Sequence, residues 1–458
     1  MDETDTLFTA LLAGTVIGVY TLIVAGATAA IADAASACSS WPVCSRPPSV
    51  TDPALAVAWG HRVVALLVGV LVIVTAVVGW RVAQRRRVKY ALAAALVLFP
   101  VQIGVGAAVA TTGAAGDLPA VHLGVAASIF GALVAALAWH LETGAEDTQP
   151  VTTDPEPASE PVDEVTVTRP SGLVDTARAY VSLTKPRLMW LLSLVAAAGM
   201  ALSADGSIGV ETILATLGGG VLAIGASGTF NHVLERDVDR RMNRTADRPL
   251  TTERVPVTNA LAFGFALGAL SMGAFLTVNV LVAVLGLVAI VFYSVVYTLV
   301  LKPNTVQNTV IGGFAGALPA LIGSAAVTGT IGPAGLALAT LIFLWTPAHF
   351  YNLALAYKDD YARAGFPMMP VVHGEAATRK HILWYLAATL LAAAVVTAVA
   401  DLGVLVASTT VALGAVFLWM VVRLHRERTE SAAFRAFHAS NAYLGLFLVA
   451  VVIDALAV

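Results

Sequence analysis

Thirteen apolar runs dominate this chain and limit what it can fold into. They fall at about 7–30, 61–80, 90–111 and 120–140, and then at about 188–204, 209–230, 257–277, 279–301, 308–329, 333–355, 381–399, 402–422 and 439–457. A bilayer core takes about 20 helical residues to cross, so thirteen spans need roughly 260 residues. The composition supplies them: of 458 residues, 58% are apolar and 12% charged. That is about half the charge of a soluble domain, where roughly 25% is usual. No period-2 alternation marks an outer-membrane barrel. The predicted fold is an all-α polytopic membrane protein, a four-helix N-terminal bundle followed by a nine-helix bundle. A water-soluble enzyme is excluded. The 26 basic and 29 acidic residues leave a net charge of −3, so nucleic acid is not expected as a partner. Membrane lipid is.

The basic residues fix the expected orientation. Arg81, Arg85, Arg86, Arg87 and Lys89 lie between the second and third runs, and Arg236, Arg240, Arg241, Arg244, Arg248 and Arg254 between the sixth and seventh. Lys302, Lys358 and Arg363, then Arg423, Arg426 and Arg428 follow later runs of the same parity. Every second loop is basic, which assigns these loops to the cytoplasm of a multi-pass cell-membrane protein. The N-terminus, Met1-Asp2-Glu3-Thr4-Asp5, is acidic where a cleavable signal would be basic. Residues 142–172 interrupt the apolar pattern with acids, Pro, Thr and Ser. They read as an acidic disordered linker between a module at 1–141 and another at 173–458.

The densest chemistry lies at the basic end of the sixth run. If the helix continues there, Asn231, Glu235 and Asp239 fall on one face at i, i+4 and i+8, with Asp237 elsewhere. Two carboxylates and an amide oxygen suit Mg²⁺, which shares its oxygen ligands readily with phosphate. Arg244 and Arg248 follow, and guanidinium recognises phosphate through paired bonds. A second cluster ends the tenth run, with His349, Asn352, Tyr357, Lys358, Asp359, Asp360 and Tyr361. Two acidic helix ends on one membrane side would bind two metals or one metal-bridged diphosphate.

These segments, with Leu183-Thr184-Lys185-Pro186-Arg187, the run Leu301-Lys302-Pro303-Asn304, the run Ile311-Gly312-Gly313-Phe314-Ala315-Gly316 and Pro367-Met368-Met369-Pro370, resemble the UbiA superfamily of intramembrane prenyltransferases, in its heme O synthase branch. The resemblance implies a UbiA-type nine-helix bundle. It also implies transfer of a farnesyl group from farnesyl diphosphate to a vinyl group of heme b, with addition of water. Carried onto these positions, it makes Asn231, Glu235, Asp239 and Asp360 the Mg²⁺ ligands. Lys358, Arg244, Arg248 and, more weakly, Lys302 would contact the diphosphate. Phe230, Tyr293, Tyr297, Tyr351 and Tyr357 could shield a cation or form an interfacial belt. His349 could ligate substrate iron or bond within the bundle. A quinone or lipid acceptor, or a heme carrier without activity, stays open as an alternative.

The N-terminal module carries His61 and His122 at the starts of the second and fourth runs. Histidines at matching depth on two helices of a four-helix bundle are one way to hold heme axially. Cys38 to Cys44, Trp59-Gly60-His61-Arg62, Gln102 and His122-Leu123-Gly124 resemble half of a heme A synthase. That resemblance implies a Cys38–Cys44 bridge and His61 and His122 as axial candidates for heme b. It departs at Ala58, where the family's catalytic half has glutamate, so a heme-binding, heme-delivery or docking role is expected instead of hydroxylation. A heme A synthase is then the expected product acceptor.

Overall fold

A computed structural model describes residues 3–49, 51–83, 85–112, 116–142 and 172–457. Every regular element among them is helical. The chain belongs to the class of all-α polytopic membrane proteins: among the described residues, twelve helices are long and apolar enough to cross a bilayer. The fifth run, expected at about 188–204, forms the 16-residue helix Pro186–Ala201. At about 1.5 Å per residue it is some 24 Å long, shorter than a full crossing. The acidic segment lies outside the described residues except for its ends, Glu142 and Gly172.

The chain packs as two compact units, one of residues 1–145 with 379–450 and one of residues 146–378 with 451–456. The first unit opens with α1 (Glu3–Ile31), the short α2 (Ala34–Ala37), α3 (Pro53–Val82), α4 (Arg86–Thr112) and α5 (Leu118–Leu141). The second begins with α6 (Leu173–Leu183), α7 (Pro186–Ala201), α8 (Val210–Leu234), the single turn α9 (Arg236–Asp239) and α10 (Val257–Val278). Next come α11 (Val280–Val291), continued by a π-helix (Phe292–Leu301) and the turn α12 (Lys302–Asn304), then α13 (Asn308–Thr328) and α14 (Pro333–Ala356). Two short helices follow, α15 (Lys358–Arg363) and α16 (Met369–Val372). Last are α17 (Gly374–Val399), α18 (Val404–Glu427) and α19 (Glu430–Ala457), most of which pack within the first unit.

Local sequence places the breaks. Proline begins α3, α5, α7 and α14 within their first two positions, where its missing N–H is harmless. Asp52 caps α3 by accepting from Leu55 N at 3.1 Å, and Asn279 caps α11 by accepting from Val282 N at 2.9 Å. In lipid, helices associate by close packing of small residues. The α7–α13 pair shows this: a Cβ on Gly323 would lie 2.1 Å from Ala196 O, and one on Gly199 would lie 2.4 Å from Ala320 O. Only glycine allows those backbones to touch.

Polar contacts in the first unit join early helices to late ones. Tyr20 of α1 bonds Thr410 of α18 at 2.8 Å, and Thr410 bonds Tyr443 of α19 at 3.1 Å. Glu142, counted with the acidic segment by composition, instead follows α5 as its buried C-cap. Arg379 of α17 donates to it twice, at 2.7 and 3.1 Å.

Candidate active site

The end of α8 and the loops after it form the polar centre of the second unit. The helix does not run on as a regular rod, because Glu235 caps it and α9 follows at once. The i, i+4 spacing survives the break, since Glu235 N donates to Asn231 O at 2.9 Å and Asp239 N to Glu235 O at 2.7 Å. Asn231, Glu235 and Asp239 are all buried, and the Asp237 side chain is 71% exposed. One stripe therefore faces inward, as its spacing required.

Each member of the stripe has a cationic partner. Lys302 donates to Glu235 Oε1 at 2.6 Å, and Arg248 Nη1 to Asp239 Oδ2 at 2.7 Å. Lys185 donates to Asn231 Oδ1 and, at 3.1 Å, to the Tyr293 hydroxyl. Asn231 in turn donates to Thr298 Oγ1 at 3.0 Å. The second cluster joins through Arg244. Its backbone N donates to Asp360 Oδ2 at 3.2 Å, and its guanidinium lies 4.7 Å from the Tyr357 ring centre and 5.6 Å from that of Tyr361. Asp360, itself buried, also accepts from Arg363. Both acidic loops thus meet around Arg244.

Burial and charge pull these groups in different directions. Burial pushes Glu235 up, but Lys302, Lys185 and Arg248 outweigh it and hold the carboxyl below its ordinary value. Asp239 goes up, because burial and neighbouring Glu235 exceed the pull of Arg248. Burial pushes the Lys185 ammonium down to about 7; Glu235 and Asp239 oppose the shift, and Arg248 and Lys302 add to it.

Lys185 had no assigned role in the sequence reading. It is a lone lysine before a proline, which disfavours right-handed helix at the preceding residue. Lys185 takes the left-handed conformation instead (φ 54°, ψ 59°) between α6 and α7. Gly228 of α8 makes room, since a Cβ there would sit 2.9 Å from Leu183 O and 3.3 Å from Lys185 Cγ. Thr298 was also missed. It sits in the π-helix, where its hydroxyl donates to Tyr293 O at 2.8 Å, and Tyr293 and Tyr297 stack at 5.6 Å. Such wide turns often occur at functional sites.

Other expected residues lie apart from these contacts. Lys358 pairs with Glu375 at 3.0 Å, and the buried His349 stacks on Trp345 at 4.3 Å between ring centres. Among the described residues, no three His, Cys, Asp or Glu side chains form a group able to hold a metal alone. In the first unit, Cys38 and Cys44 are joined by a disulfide, and Arg62 clasps their loop by donating to the carbonyls of Cys38, Ser40 and Pro42. Among the described residues, the buried Nδ1 atoms of His61 and His122 have no hydrogen-bond partner. Gln102 Nε2 donates to His122 Nε2 at 3.2 Å.

Comparison with known proteins settles the family, because residues 192–449, more than half of the chain, match the UbiA prenyltransferase family. The chain belongs to the UbiA prenyltransferase family. Relatives within it align almost end to end. Protoheme IX farnesyltransferase of Haloarcula marismortui is 62% identical over 458 residues, covering 98% of each chain. Protoheme IX farnesyltransferase 1 of Natronomonas pharaonis is 63% identical over 460 residues, covering 98% of this chain and 99% of its own. The UbiA fold is also visible in a solved digeranylgeranylglyceryl phosphate synthase, which shares 14% identity at a TM-score of 0.53 and covers 62% of this chain and 100% of its own. This UbiA protein is an enzyme, a multi-pass prenyltransferase of the protoheme IX farnesyltransferase type.

Proposed function

We propose that the chain transfers the farnesyl group of farnesyl diphosphate to a vinyl carbon of heme b, giving heme O and diphosphate at the cytoplasmic side of the cell membrane. The observation that carries this reading is the interleaving of three buried carboxylates with four cations, Lys185, Arg244, Arg248 and Lys302, at one helix end. The acid residues offer only hard oxygen donors, and Lys302 and Arg248 each engage one oxygen of their partner. A donor set of that kind fits Mg²⁺, which binds through one or two carboxylates plus substrate phosphates. Asn231, Glu235, Asp239 and Asp360 are the residues from which its ligands would come, with diphosphate oxygens completing the set, since no three of the described carboxylates gather into a metal site by themselves. When bound, it neutralises charge on the departing diphosphate.

The chain's own residues do the rest. Lys185, Arg244, Arg248 and Lys302 take diphosphate oxygens and stabilise the negative charge that grows as the allylic C–O bond breaks. The electron pair of that bond leaves with diphosphate. The vinyl group's electrons form the new C–C bond, and the cation left on the acceptor takes the oxygen of water and releases a proton. The faces of Tyr293, Tyr297 and Tyr357 suit the passing cation. In this reading Lys358 and His349 would be outer contacts to substrate.

The same reading gives the four-span part at 1–141 an accessory role, with heme b held by His61 and His122. Their buried Nδ1 atoms and the small neighbours Gly26 and Gly106 support it. A Cβ at Gly106 would come 2.9 Å from His122 Cε1. Ligation through His122 Nε2 requires Gln102 to turn away. A heme A synthase is the proposed product acceptor. The test is mass spectrometry of hemes from membranes expressing the chain. A species heavier than heme b by one farnesyl group and one hydroxyl is expected. Heme b unchanged in active membranes refutes the proposal, and a different added mass identifies another donor.

A further inference from the structure

A cavity of about 310 Å³ opens in the first unit where α1 begins and α5 and α18 end, walled by Asp5, Thr9, His140, His425, Arg426 and Arg428. None of these residues takes part in the prenyl transfer described above. The acids nearby are already engaged. Glu142 is bound by Arg379, and Asp5 lies 3.4 Å from His140. Glu427, between the two arginines, is held by Arg423 at 2.6 Å and by Arg435. Of the charged wall residues, Asp5 carries one negative charge and Arg426 and Arg428 two positive ones, so the wall is positive on balance.

The wall also holds polar atoms with unused capacity. His425 is 1% exposed; its Nδ1–H donates to Val421 O at 2.9 Å, and its Nε2, 3.7 Å from Glu142 Oε1, makes no hydrogen bond among the described residues. Arg426 donates through Nη2 to Thr6 O at 3.4 Å, and its buried Nε has no hydrogen-bond partner among the described residues. Arg428 spends Nε on His425 O at 3.2 Å and brings one Nη within 4.0 Å of Glu142, and its side chain is 45% exposed, so donors remain on its open side. Buried polar atoms without partners are uncommon, and a ligand explains them when they share one wall.

We propose that this cavity binds a phosphate group. Two adjacent guanidiniums supply the donors that phosphate recognition uses. His425 Nε2 accepts from a protonated phosphate oxygen. Basic pockets between helix ends hold lipid headgroups at membrane surfaces, and a free phosphate offers the same chemistry.

The full-length protein in neutral detergent is titrated at fixed ionic strength with inorganic phosphate. In a second arm it receives phosphatidylglycerol in mixed micelles, with a phosphate-free galactolipid as control. Saturable binding is expected in at least one arm. Arg428→Gln should weaken it about tenfold or more, the cost of a charged hydrogen bond, with Arg423→Gln binding like the parent. Binding of inorganic phosphate assigns a free anion, and binding confined to the lipid arm assigns a headgroup. No saturable binding in either arm overturns the proposal. So does binding that survives Arg428→Gln unchanged, because that phosphate sits in the prenyltransferase site, or equal loss in both variants.

Discussion

Removing either member of the Glu142–Arg379 pair should destabilise the first unit far more than removing both. Their side chains are 2% and 4% exposed, so neither charge can return to water without unfolding part of the bundle. Two charge-assisted bonds join them, each worth about 1.5–3 kcal/mol. Breaking a buried pair from one side typically costs about 3–5 kcal/mol. Arg379→Met leaves Glu142 with weaker alternatives, His425 at 3.7 Å and Arg428 at 4.0 Å, so its loss belongs at the low end, about 3 kcal/mol. Glu142→Gln retains one acceptor oxygen and should cost about 2–3 kcal/mol. The double variant Glu142→Leu with Arg379→Met removes both buried charges and should return to within about 1 kcal/mol of the parent. Trp139 and Trp384 meet edge to face at 6.5 Å on the same two helices, so tryptophan fluorescence during unfolding in detergent reads this joint. The reasoning is refuted if the single variants stay within about 1 kcal/mol of the parent, or if the double variant costs the sum of the singles.

Asp239→Asn should lower heme O formation by about a hundredfold or more, because a preorganised charge at the leaving group is lost; undiminished heme O in extracted membranes would count against the site. A chelator should stop transfer by the purified enzyme and added Mg²⁺ should restore it, whereas full activity in chelator removes the metal from the mechanism. Gly323→Val should lower stability by about 1–3 kcal/mol and cut activity too, because α7 must retreat from α13 and Lys185 precedes α7 directly. An unchanged melting midpoint would show that the helices separate without cost.

Much of the fold could be read from spacing alone, because a bilayer leaves few ways to satisfy the backbone. The same spacing carried the stripe of Asn231, Glu235 and Asp239, whose carboxylates and amide turn inward even though the helix breaks at Glu235. Long-range pairings were not legible. Glu142 looked like one acid among many, and nothing local to it points to Arg379, 237 residues away. Lys185 was hidden for a similar reason. Its sequence signal is a single lysine before a proline, and its contact with Asn231 depends on the absent side chain of Gly228. Thr298 is an ordinary residue of an apolar run until the π-helical turn brings it beside Asn231.

The bond from Tyr20 to Thr410 spans 390 residues. At about 5–20 residues per second, a ribosome needs roughly 20–80 s to make the chain between them. Throughout that interval α1 is in the membrane with a phenol whose partner does not yet exist. The three other early long helices can gather around α1, but its polar seam closes only when α18 and α19 arrive. Assembly of the first unit is therefore gated by the end of synthesis, and a nascent chain stalled before α18 should expose Tyr20 to any membrane chaperone able to hold a polar helix face.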